Sequence, residues 1–401
     1  MEIGERHKGN SLVALLDWEK AFDKVNQKML LKALRMMGTP QVLISTVANI
    51  YAEQRFRVKG HGGESQWRKQ RCGIKQGCPM SPYLFIILMS CVRRDVEFVL
   101  ARHGIRVEAV CEGLDSPILL YADDTAIISR SHTDLEIILR VIEDCAGAYG
   151  LKLNRSKCIL LTKGAAPSVR FLDNSEMPKA PDAPYLGCVL TDNLDAQREI
   201  NRRLGEAYAT LGRLQYFWSR ANAPKAWKIQ VLQAVIKSKV TYAMDSIRLS
   251  PAMEAKINHL QIRALRKITG LASSFVCREN TNEKVINAAN DILRAAKKKA
   301  TVRAWSADIR RSRMRLLGHV LRAETADPIR SCFLEEETIN ELQIGTWRVG
   351  RPRKHWLEQA VAEAWAEITG QSENDFDNTP LQQELVISAA LARAPPFGDG
   401  A

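Results

Sequence analysis

Short apolar runs typical of strands alternate, over residues 1–190, with stretches in which apolar residues recur every three or four positions, as they do in helices. The runs predict strands over Ser11–Leu16, Arg55–Lys59, Gln66–Cys72, Ile118–Tyr121, Ala126–Ile128 and Cys158–Leu161. The helical spacing predicts helices over Met29–Met37, Val42–Tyr51, Tyr83–Leu100 and Asp134–Tyr149. This order of elements predicts an α+β fold, an antiparallel sheet with helices on one face.

Beyond residue 190 the pattern becomes helical. Ala-rich apolar stripes opposite Arg/Lys-rich faces predict three helices, over Asp195–Trp218, Pro224–Tyr242 and Pro251–Thr269, and further helix over Glu283–Arg311. The end, Ala392–Ala401, is rich in Ala, Pro and Gly, which predicts a loose tail. We therefore expect three parts: residues 1–190, a helical part over 191–275, and a basic helical part over 276–401.

Composition narrows the class of protein. The chain has 401 residues, of which 46% are apolar and 26% charged, so it is globular rather than disordered. The longest apolar stretch, near Tyr83–Met89, is far shorter than the roughly 20 residues that span a bilayer, and we expect no membrane association. The charged amino terminus lacks an apolar signal core. These features predict an intracellular protein, nuclear or cytoplasmic or both, that is not secreted.

The nine cysteines are odd in number and mostly embedded in apolar runs, which predicts reduced thiols rather than a disulfide framework. Cys72 and Cys78 form the closest pair, but no second pair with zinc-ligand spacing follows. The spacing therefore favours no zinc site.

The positive charge is concentrated in one part of the chain. The whole sequence has 58 Lys and Arg against 45 Asp and Glu, and residues 196–322 alone contain 26 basic and 8 acidic side chains, a net charge of +18. Solvated helix faces would be one explanation. An imbalance this large favours the alternative, a polyanionic partner.

Acidic side chains flank the apolar strands. Asp17 ends the first strand, and Asp123-Asp124 lies in the turn of an apolar hairpin. Neighbouring carboxylates repel one another, and a divalent cation removes that cost, since hard oxygen ligands suit Mg²⁺. Two such ions can activate a 3′-hydroxyl and stabilise a leaving pyrophosphate. By itself the pair could equally be a polar turn, where Asp is common.

Five motifs in order resemble the reverse transcriptases of non-LTR (LINE-type) retrotransposons, over about residues 10–270. They are Leu15–Val25, Gly73–Pro82 followed by Tyr83–Phe85, Tyr121–Asp124, Gly150–Asn154 with Lys157, and Tyr185–Gly187. The resemblance implies a palm with truncated fingers over 1–190, a helical thumb over 191–275 and RNA-directed DNA polymerase activity. It also implies an RNA template, a DNA primer, a target DNA and dNTPs as partners. It leaves the oligomeric state unknown.

The resemblance implies roles for individual residues. Asp17, Asp123 and Asp124 would be the catalytic carboxylates and the metal site, holding two Mg²⁺, or Mn²⁺ in their place. Lys157 would be a general acid, although a surface lysine is an equal alternative. Residues implied to contact the substrate are Phe22 as a steric gate, Gln76, Gly77 and Tyr121. Tyr185, Leu186 and Gly187 would form the primer grip, whereas Tyr83–Phe85 is expected to be core.

In the implied thumb, basic side chains would hold the template–primer duplex through its phosphates. The candidates are Arg202, Arg203, Arg213, Lys225, Lys228, Lys237, Lys239, Arg263, Arg266 and Lys267. Lys297–Lys299 and Arg310, Arg311, Arg313 and Arg315 would extend this surface. Three tryptophans, Trp218, Trp227 and Trp305, are expected to pack between helices rather than to stack on bases. The segment Gly350–Trp356 resembles a basic segment of these elements and is expected to be a solvated loop.

The sequence departs from the family upstream of the first motif. Only about ten residues precede the first catalytic strand, so the fingers residues that hold the triphosphate and the endonuclease of the family are absent from it. We expect a fragment of a longer reading frame or a decayed copy. The alternative to a polymerase is therefore a catalytically inactive nucleic-acid-binding remnant. An intron-encoded reverse transcriptase with a maturase role ranks third, because no maturase or HNH-nuclease signature is recognisable.

Overall fold

The computed structural model describes residues 12–60, 63–104, 116–162, 167–191, 196–324, 327–331, 356–394 and 397. The chain divides into two compact units, Met1–Leu194 and Asp195–Ala401. We describe each unit by itself.

Within its described residues, the first unit combines short strands with five helices. The strands are β1 (Leu12–Leu16), β2 (Arg55–Phe56), β3 (Lys59–Gly60), β4 (Gly63–Glu64), β5 (Arg68–Lys69), β6 (Ile118–Tyr121), β7 (Asp124–Ser129), β8 (Ile159–Thr162), β9 (Asp182–Tyr185) and β10 (Cys188–Thr191). The helices are α1 (Ala21–Lys24), α2 (Gln27–Met36), α3 (Gln41–Ala52), α4 (Ser81–Arg102) and α5 (His132–Ala148). A four-stranded sheet in the order β6-β7-β1-β8 pairs antiparallel throughout, which confirms the α+β prediction.

Both faces of this sheet are covered. Alternate residues of β1 point to opposite sides, and Leu12, Ala14 and Leu16 join the core that contains the helices. Val13 and Leu15 face the other way and pack in a smaller cluster with Ala126, Leu161 and Ala183. Because Ala183 lies on β9, the hairpin of β9 and β10 covers the face opposite the helices. The apolar spacing predicted the helical face but not this hairpin.

An exposed arm follows α3. In place of the two predicted strands Arg55–Lys59 and Gln66–Cys72, four two-residue strands form the pairs β2–β5 and β3–β4. All eight residues of these strands are exposed, so no face is buried to support a longer pairing. His61 and Gly62, which lie between the two predicted strands, are outside the described residues.

The second unit is helical throughout its described residues. Its α-helices are α6 (Ala196–Arg213), α7 (Gln215–Ser219), α8 (Lys225–Val231), α9 (Ser238–Thr241), α10 (Pro251–Thr269), α11 (Asn282–Ala295), α12 (Trp305–Arg322), α13 (Pro328–Ser331), α14 (Trp356–Thr369) and α15 (Pro380–Leu391). A π-helical segment, Leu232–Lys237, joins α8 to α9. The first predicted helix therefore breaks at Leu214 and the last predicted stretch breaks between α11 and α12.

Two apolar clusters support this unit. One includes buried residues from Ile200 to Ile309, so it continues through the predicted boundary at residue 275. The second runs from Met314 to Phe397. Phe397 is only 2% exposed, and a Cβ on Gly318 would lie 2.9 Å from its ring, so glycine makes room for it. The predicted loose tail is therefore wrong at Phe397. Across the described ranges, no helix is both long and apolar enough to cross a bilayer.

Candidate active site

The strand register brings the predicted carboxylates to one end of the sheet. Leu16, the last residue of β1, pairs with Thr125, so Asp17, which follows it, lies near Asp124 at the start of β7. Tyr121 pairs with Asp124, which leaves Ala122 and Asp123 as a two-residue hairpin turn. The pairing of β1 with β7 and the turn before β7 therefore bring three acidic residues to the same end of the sheet.

The electrostatics agree with this arrangement. Burial raises the pKa of Asp124 above its ordinary value, and the negative charges of Asp123 and Asp17 raise it further. Ala122 has a φ of +55°, a left-handed conformation that costs a residue with a Cβ about 1–2 kcal/mol. The strained turn thus places the carboxylate of Asp123 next in sequence to that of Asp124, the first residue of β7.

A buried hydrogen bond joins the two strands beside the carboxylates. Trp18 Nε1 donates to Thr125 Oγ1 over 3.0 Å, and both residues are buried. Each residue directly follows one of the acidic residues in sequence. The motif comparison missed this pair, although the position of each next to a carboxylate was the available signal.

The donor chemistry of the site suits a hard divalent cation. Three carboxylates supply oxygen ligands, and their mutual repulsion would be relieved by a positive ion. In the described part of the chain, however, no three His, Cys, Asp or Glu side chains converge as a metal site. Asp17, Asp123 and Asp124 have the oxygen ligands that such a cation prefers, and they lie at the same end of the sheet. Their side chains do not converge on one point.

The loop after α5 runs beside the end of β1 and carries Lys157. Asn154 N donates to the Asp17 carbonyl over 2.8 Å, and Glu19 N donates to the Lys152 carbonyl over 2.8 Å. Lys157 Nζ then lies 4.0 Å from Asp17 Oδ2, with the lysine side chain largely exposed. The predicted general acid is therefore beside the carboxylates and free to reach solvent.

Phe22 is positioned by a second aromatic ring. Its ring stacks on Phe85 with the centroids 4.8 Å apart and an angle of 14° between the planes. Phe85 is fully buried, as predicted, and Phe22 is half-buried, so one part of its ring faces outward. The neighbouring Tyr83, in contrast, is 70% exposed and is not core.

The Gly73–Gly77 loop lies against the chain that follows Phe22. Ile74 N donates to the Phe22 carbonyl over 2.7 Å. Gln76 Nε2 lies 3.5 Å from Asp23 Oδ1 and its side chain is exposed. Gly77 has a φ of +80° with open space around it. Gln76 and Gly77 are thus brought next to Phe22, whereas Tyr121 is 66% exposed at the end of β6.

The predicted primer grip is the turn between β9 and β10. Tyr185 pairs with Cys188, and Leu186 and Gly187 both have positive φ, at +48° and +76°. Burial raises the pKa of Tyr185, and the charge of Asp124 adds to that rise. Because Asp124 acts on this tyrosine, the turn lies on the carboxylate side of the sheet.

Not all the predicted basic residues are available to a phosphate. Arg203 is buried, paired with Glu199 at 2.5 Å and donating to the Lys239 carbonyl. Lys228 is also buried and donates to the Trp218 carbonyl over 3.1 Å. Arg313 is fully buried and pairs with Glu363. The prediction that these three side chains contact phosphates is therefore wrong, because each is buried and bonded to a partner inside the unit.

The remaining candidates differ in their internal partners. Those with hydrogen bonds or ion pairs inside the unit are Arg202, Lys225, Lys237, Arg266 and Lys267. Arg213 is exposed, Lys239 is half-buried, and Arg263 is exposed with its guanidinium 5.7 Å from the centre of the Tyr208 ring. The exposed members are the ones that a polyanion can approach without breaking a contact.

The predictions for the tryptophans, the cysteines and the segment Gly350–Trp356 can each be compared with the structure. Trp218 and Trp305 are buried, as predicted, but Trp227 is 52% exposed, so the packing prediction is wrong for this residue. The seven cysteines within the described residues are free thiols. Of the segment Gly350–Trp356, all but Trp356 lies outside the described residues.

Part of this chain is similar in sequence to known proteins. Residues 2–190 match the family of reverse transcriptases (RNA-dependent DNA polymerases). The Pol polyprotein of retrotransposable element R2DM from Drosophila melanogaster is 26% identical over 198 residues, 46% of this chain and 18% of that protein. The Pol polyprotein of an R2 element from Nasonia vitripennis is 29% identical over 202 residues, 47% of this chain and 19% of that protein.

The chain therefore spans less than a fifth of the length of these relatives. Among solved structures, apo telomerase from Candida tropicalis is 12% identical, with a TM-score of 0.39 over 82% of this chain and 53% of that chain. The match over residues 2–190 contains each predicted motif from Asp17 to Gly187. Residues 2–190 therefore match the reverse transcriptase family, and the relatives that this chain resembles are Pol polyproteins of retrotransposable elements.

Proposed function

We propose that the protein is an RNA-directed DNA polymerase that transfers nucleotidyl groups from dNTPs to the 3′ end of a primer. The observation that carries this proposal is the register of β1 and β7, which sets Asp17 near Asp124 beside the Asp123 turn. A second support is electrostatic: the pKa of Asp124 is raised mainly by desolvation, and the negative charges of Asp123 and Asp17 add to that rise.

Asp17 and Asp123 would hold divalent cations, Mg²⁺ or Mn²⁺, with Asp124 as a supporting carboxylate. A bound pair of such ions would activate the primer 3′-hydroxyl and stabilise charge on the departing pyrophosphate. Lys157 Nζ, 4.0 Å from Asp17 Oδ2, would donate a proton to that pyrophosphate. Its exposed side chain has the freedom to follow the leaving group.

Phe22 would select the sugar of the incoming nucleotide. Its ring rests on Phe85 and cannot move inward, so a 2′-hydroxyl placed over it would clash while a deoxyribose would pack. Gln76 and Gly77, next to Phe22, would contact the nucleotide, as would the exposed Tyr121. Tyr185, Leu186 and Gly187 would hold the primer strand near the carboxylates.

The exposed basic side chains of the second unit would bind the RNA template and DNA primer through phosphates. Such contacts give affinity without sequence preference, because phosphates are the same at every position. A hybrid duplex would be recognised mainly by its shape and backbone. Arg213 and Arg263 are exposed, as are Lys225 and Lys267, whose ammonium groups each also donate a hydrogen bond inside the unit.

Primer extension on an RNA template tests the proposal. The full chain is incubated with dNTPs and Mg²⁺, and Asp123→Asn is compared with Asp144→Asn, an exposed carboxylate on α5. Loss of a metal ligand removes several kcal/mol of transition-state stabilisation, so we expect Asp123→Asn to lower the extension rate by about 100-fold or more. Asp144→Asn is expected to keep the rate of the unaltered chain.

Equal extension by both variants would overturn the metal role of Asp123. Should the unaltered chain bind a hybrid duplex yet extend no primer with Mg²⁺ or Mn²⁺, the inactive nucleic-acid-binding remnant would be the better description. Failure of binding at low salt would remove both functions, because each requires contact with phosphates.

A further inference from the structure

Two stretches of the second unit lack acidic residues altogether. The sequence has no Asp or Glu between Glu206 and Asp245, and none between Glu254 and Glu279. The first stretch contains α7 and α8, and the second contains most of α10 and the loop after it. A surface built from both stretches would attract anions, because no carboxylate on them opposes the Lys and Arg side chains.

Side-chain contacts bring these stretches together at one end of α10. Lys267 Nζ donates to Gln215 Oε1 over 3.0 Å, which joins the last turn of α10 to the first residue of α7. Lys225 Nζ donates to the Thr269 carbonyl over 3.0 Å, which joins α8 to the same turn. The end of α10 is thus bordered by two lysines and by the beginnings of two other helices.

The loop after α10 is fastened at both of its ends. Arg266 donates to the carbonyl of Ala272 and, over 2.6 Å, to that of Asn280. Asn280, itself buried, donates from Nδ2 to the Ala272 carbonyl over 3.2 Å. The segment between them therefore projects as a closed loop from the last turns of α10, and Phe275 is near its middle.

Three large aromatic rings are exposed around this end. Tyr216 is 69% exposed, Trp227 is 52% exposed, and Phe275 is 100% exposed. The Trp227 ring is held on edge against Phe217, with the centroids 5.3 Å apart, so its orientation is fixed while half of it faces solvent. We call this surface, formed by Tyr216, Trp227 and Phe275 with Lys225 and Lys267, the aromatic end.

We propose that the aromatic end binds unpaired, single-stranded nucleic acid. Exposed rings stack on bases of any sequence, and lysines beside them neutralise the phosphates that connect those bases. A paired duplex would gain little here, because its bases are already stacked on each other. Binding at this surface does not require nucleotidyl transfer, so the proposal and the polymerase function can fail separately.

The charge of the surface favours this partner over a second protein chain. Protein interfaces are depleted in lysine at their centre, whereas here Lys225 and Lys267 lie at the same end of α10 as the exposed rings. An acidic protein could neutralise the lysines but offers no planar groups for three rings. A single-stranded polynucleotide supplies both contacts along one chain, because its unpaired bases can stack on several rings while the phosphates between them meet the lysines.

Fluorescence anisotropy with a labelled oligo(dT) and, separately, a labelled DNA duplex tests the proposal on the full chain. The variants are Trp227→Ala and Phe275→Ala. A stacked base contributes about 1–3 kcal/mol, so each variant is expected to weaken oligo(dT) binding by about 5- to 150-fold while duplex affinity changes by less than about twofold. Phe275→Ala guards against a folding defect, because its fully exposed ring supports no packing.

The matched control is Phe98→Ala, which removes an equally exposed ring, at 67%, from α4 of the first unit and is expected to leave oligo(dT) affinity unchanged. The proposal is overturned if neither variant weakens oligo(dT) binding, or if both weaken duplex binding as much. It is also overturned if the variants only abolish self-association, since the aromatic end would then be a protein interface.

Discussion

At Gly73 the backbone leaves no room for a side chain. Its φ is +84°, and an added Cβ would lie 2.7 Å from the carbonyl oxygen of Asp23. Left-handed strain of about 1–2 kcal/mol and overpacking of about 1–3 kcal/mol would add. We therefore expect Gly73→Ala to lower the free energy of unfolding by about 2–5 kcal/mol, as measured by urea denaturation.

Gly77 provides the comparison, because it has nearly the same φ, +80°, with nothing near its missing Cβ. Gly77→Ala should carry only the backbone strain, about 1–2 kcal/mol. Equal losses for the two variants would show that the contact of Gly73 with Asp23 adds nothing and that conformation alone requires glycine at both positions.

Single residues differ in how far the sequence revealed them. Asp17, Asp123 and Asp124 were recognisable because each stands at the end of an apolar run, where a charge needs an explanation. Arg203 and Lys228 were assigned to the surface because charged side chains are rarely buried. Their internal partners, Glu199 and the Trp218 carbonyl, come from packing between helices, which spacing along one chain does not encode.

Among the elements, β1 and β7 are joined by their backbone pairing and, beside the carboxylates, by a side-chain hydrogen bond. Trp18 Nε1 donates to Thr125 Oγ1, and both residues are buried. Thr125→Val keeps the volume but removes the acceptor, which leaves a buried N–H unsatisfied at a cost of about 1–3 kcal/mol. We expect lower stability in urea denaturation and slower primer extension, because the two strands that carry Asp17 and Asp124 would shift.

Thr125→Ser is the control, since the hydroxyl remains and only a methyl group is lost. It should cost about 1 kcal/mol and keep the extension rate near that of the unaltered chain. If serine slows extension as much as valine does, the methyl contacts of Thr125 rather than the hydrogen bond hold the strands in register.

The elements themselves were predictable where one face is buried. The strands of the central sheet and helices α2 to α5 have apolar spacing that matches the core they join. The β9–β10 hairpin was missed because its burial comes from the far face of the sheet, and Asp182 and Pro184 weaken its strand pattern. The single helix predicted over Pro224–Tyr242 contains a π-helical segment that the sequence did not indicate. One extra residue in a turn barely alters the apolar spacing, so the spacing cannot reveal it.

For the whole molecule, net charge overstates the surface available to a polyanion. Residues 196–322 have a net charge of +18, yet part of that charge lies in ion pairs or is buried. Each phosphate contact contributes about −0.9 to the slope of log affinity against log salt for B-form DNA. The slope therefore counts the cations that touch phosphates, not those that the sequence contains.

Substitutions of Arg213 and Lys228 distinguish cations that touch phosphates from cations that only add to the net charge. Arg213 is exposed, whereas Lys228 is buried and donates to the Trp218 carbonyl. Arg213→Ala should make the salt slope for a DNA duplex shallower by about 0.9 and leave unfolding unchanged. Lys228→Met should leave the slope alone and lower the free energy of unfolding, because it frees a buried carbonyl. A shallower slope for Lys228→Met would mean that its ammonium leaves the interior to meet the phosphate. An unchanged slope for Arg213→Ala would show that the duplex does not contact Arg213 and binds another face of the unit.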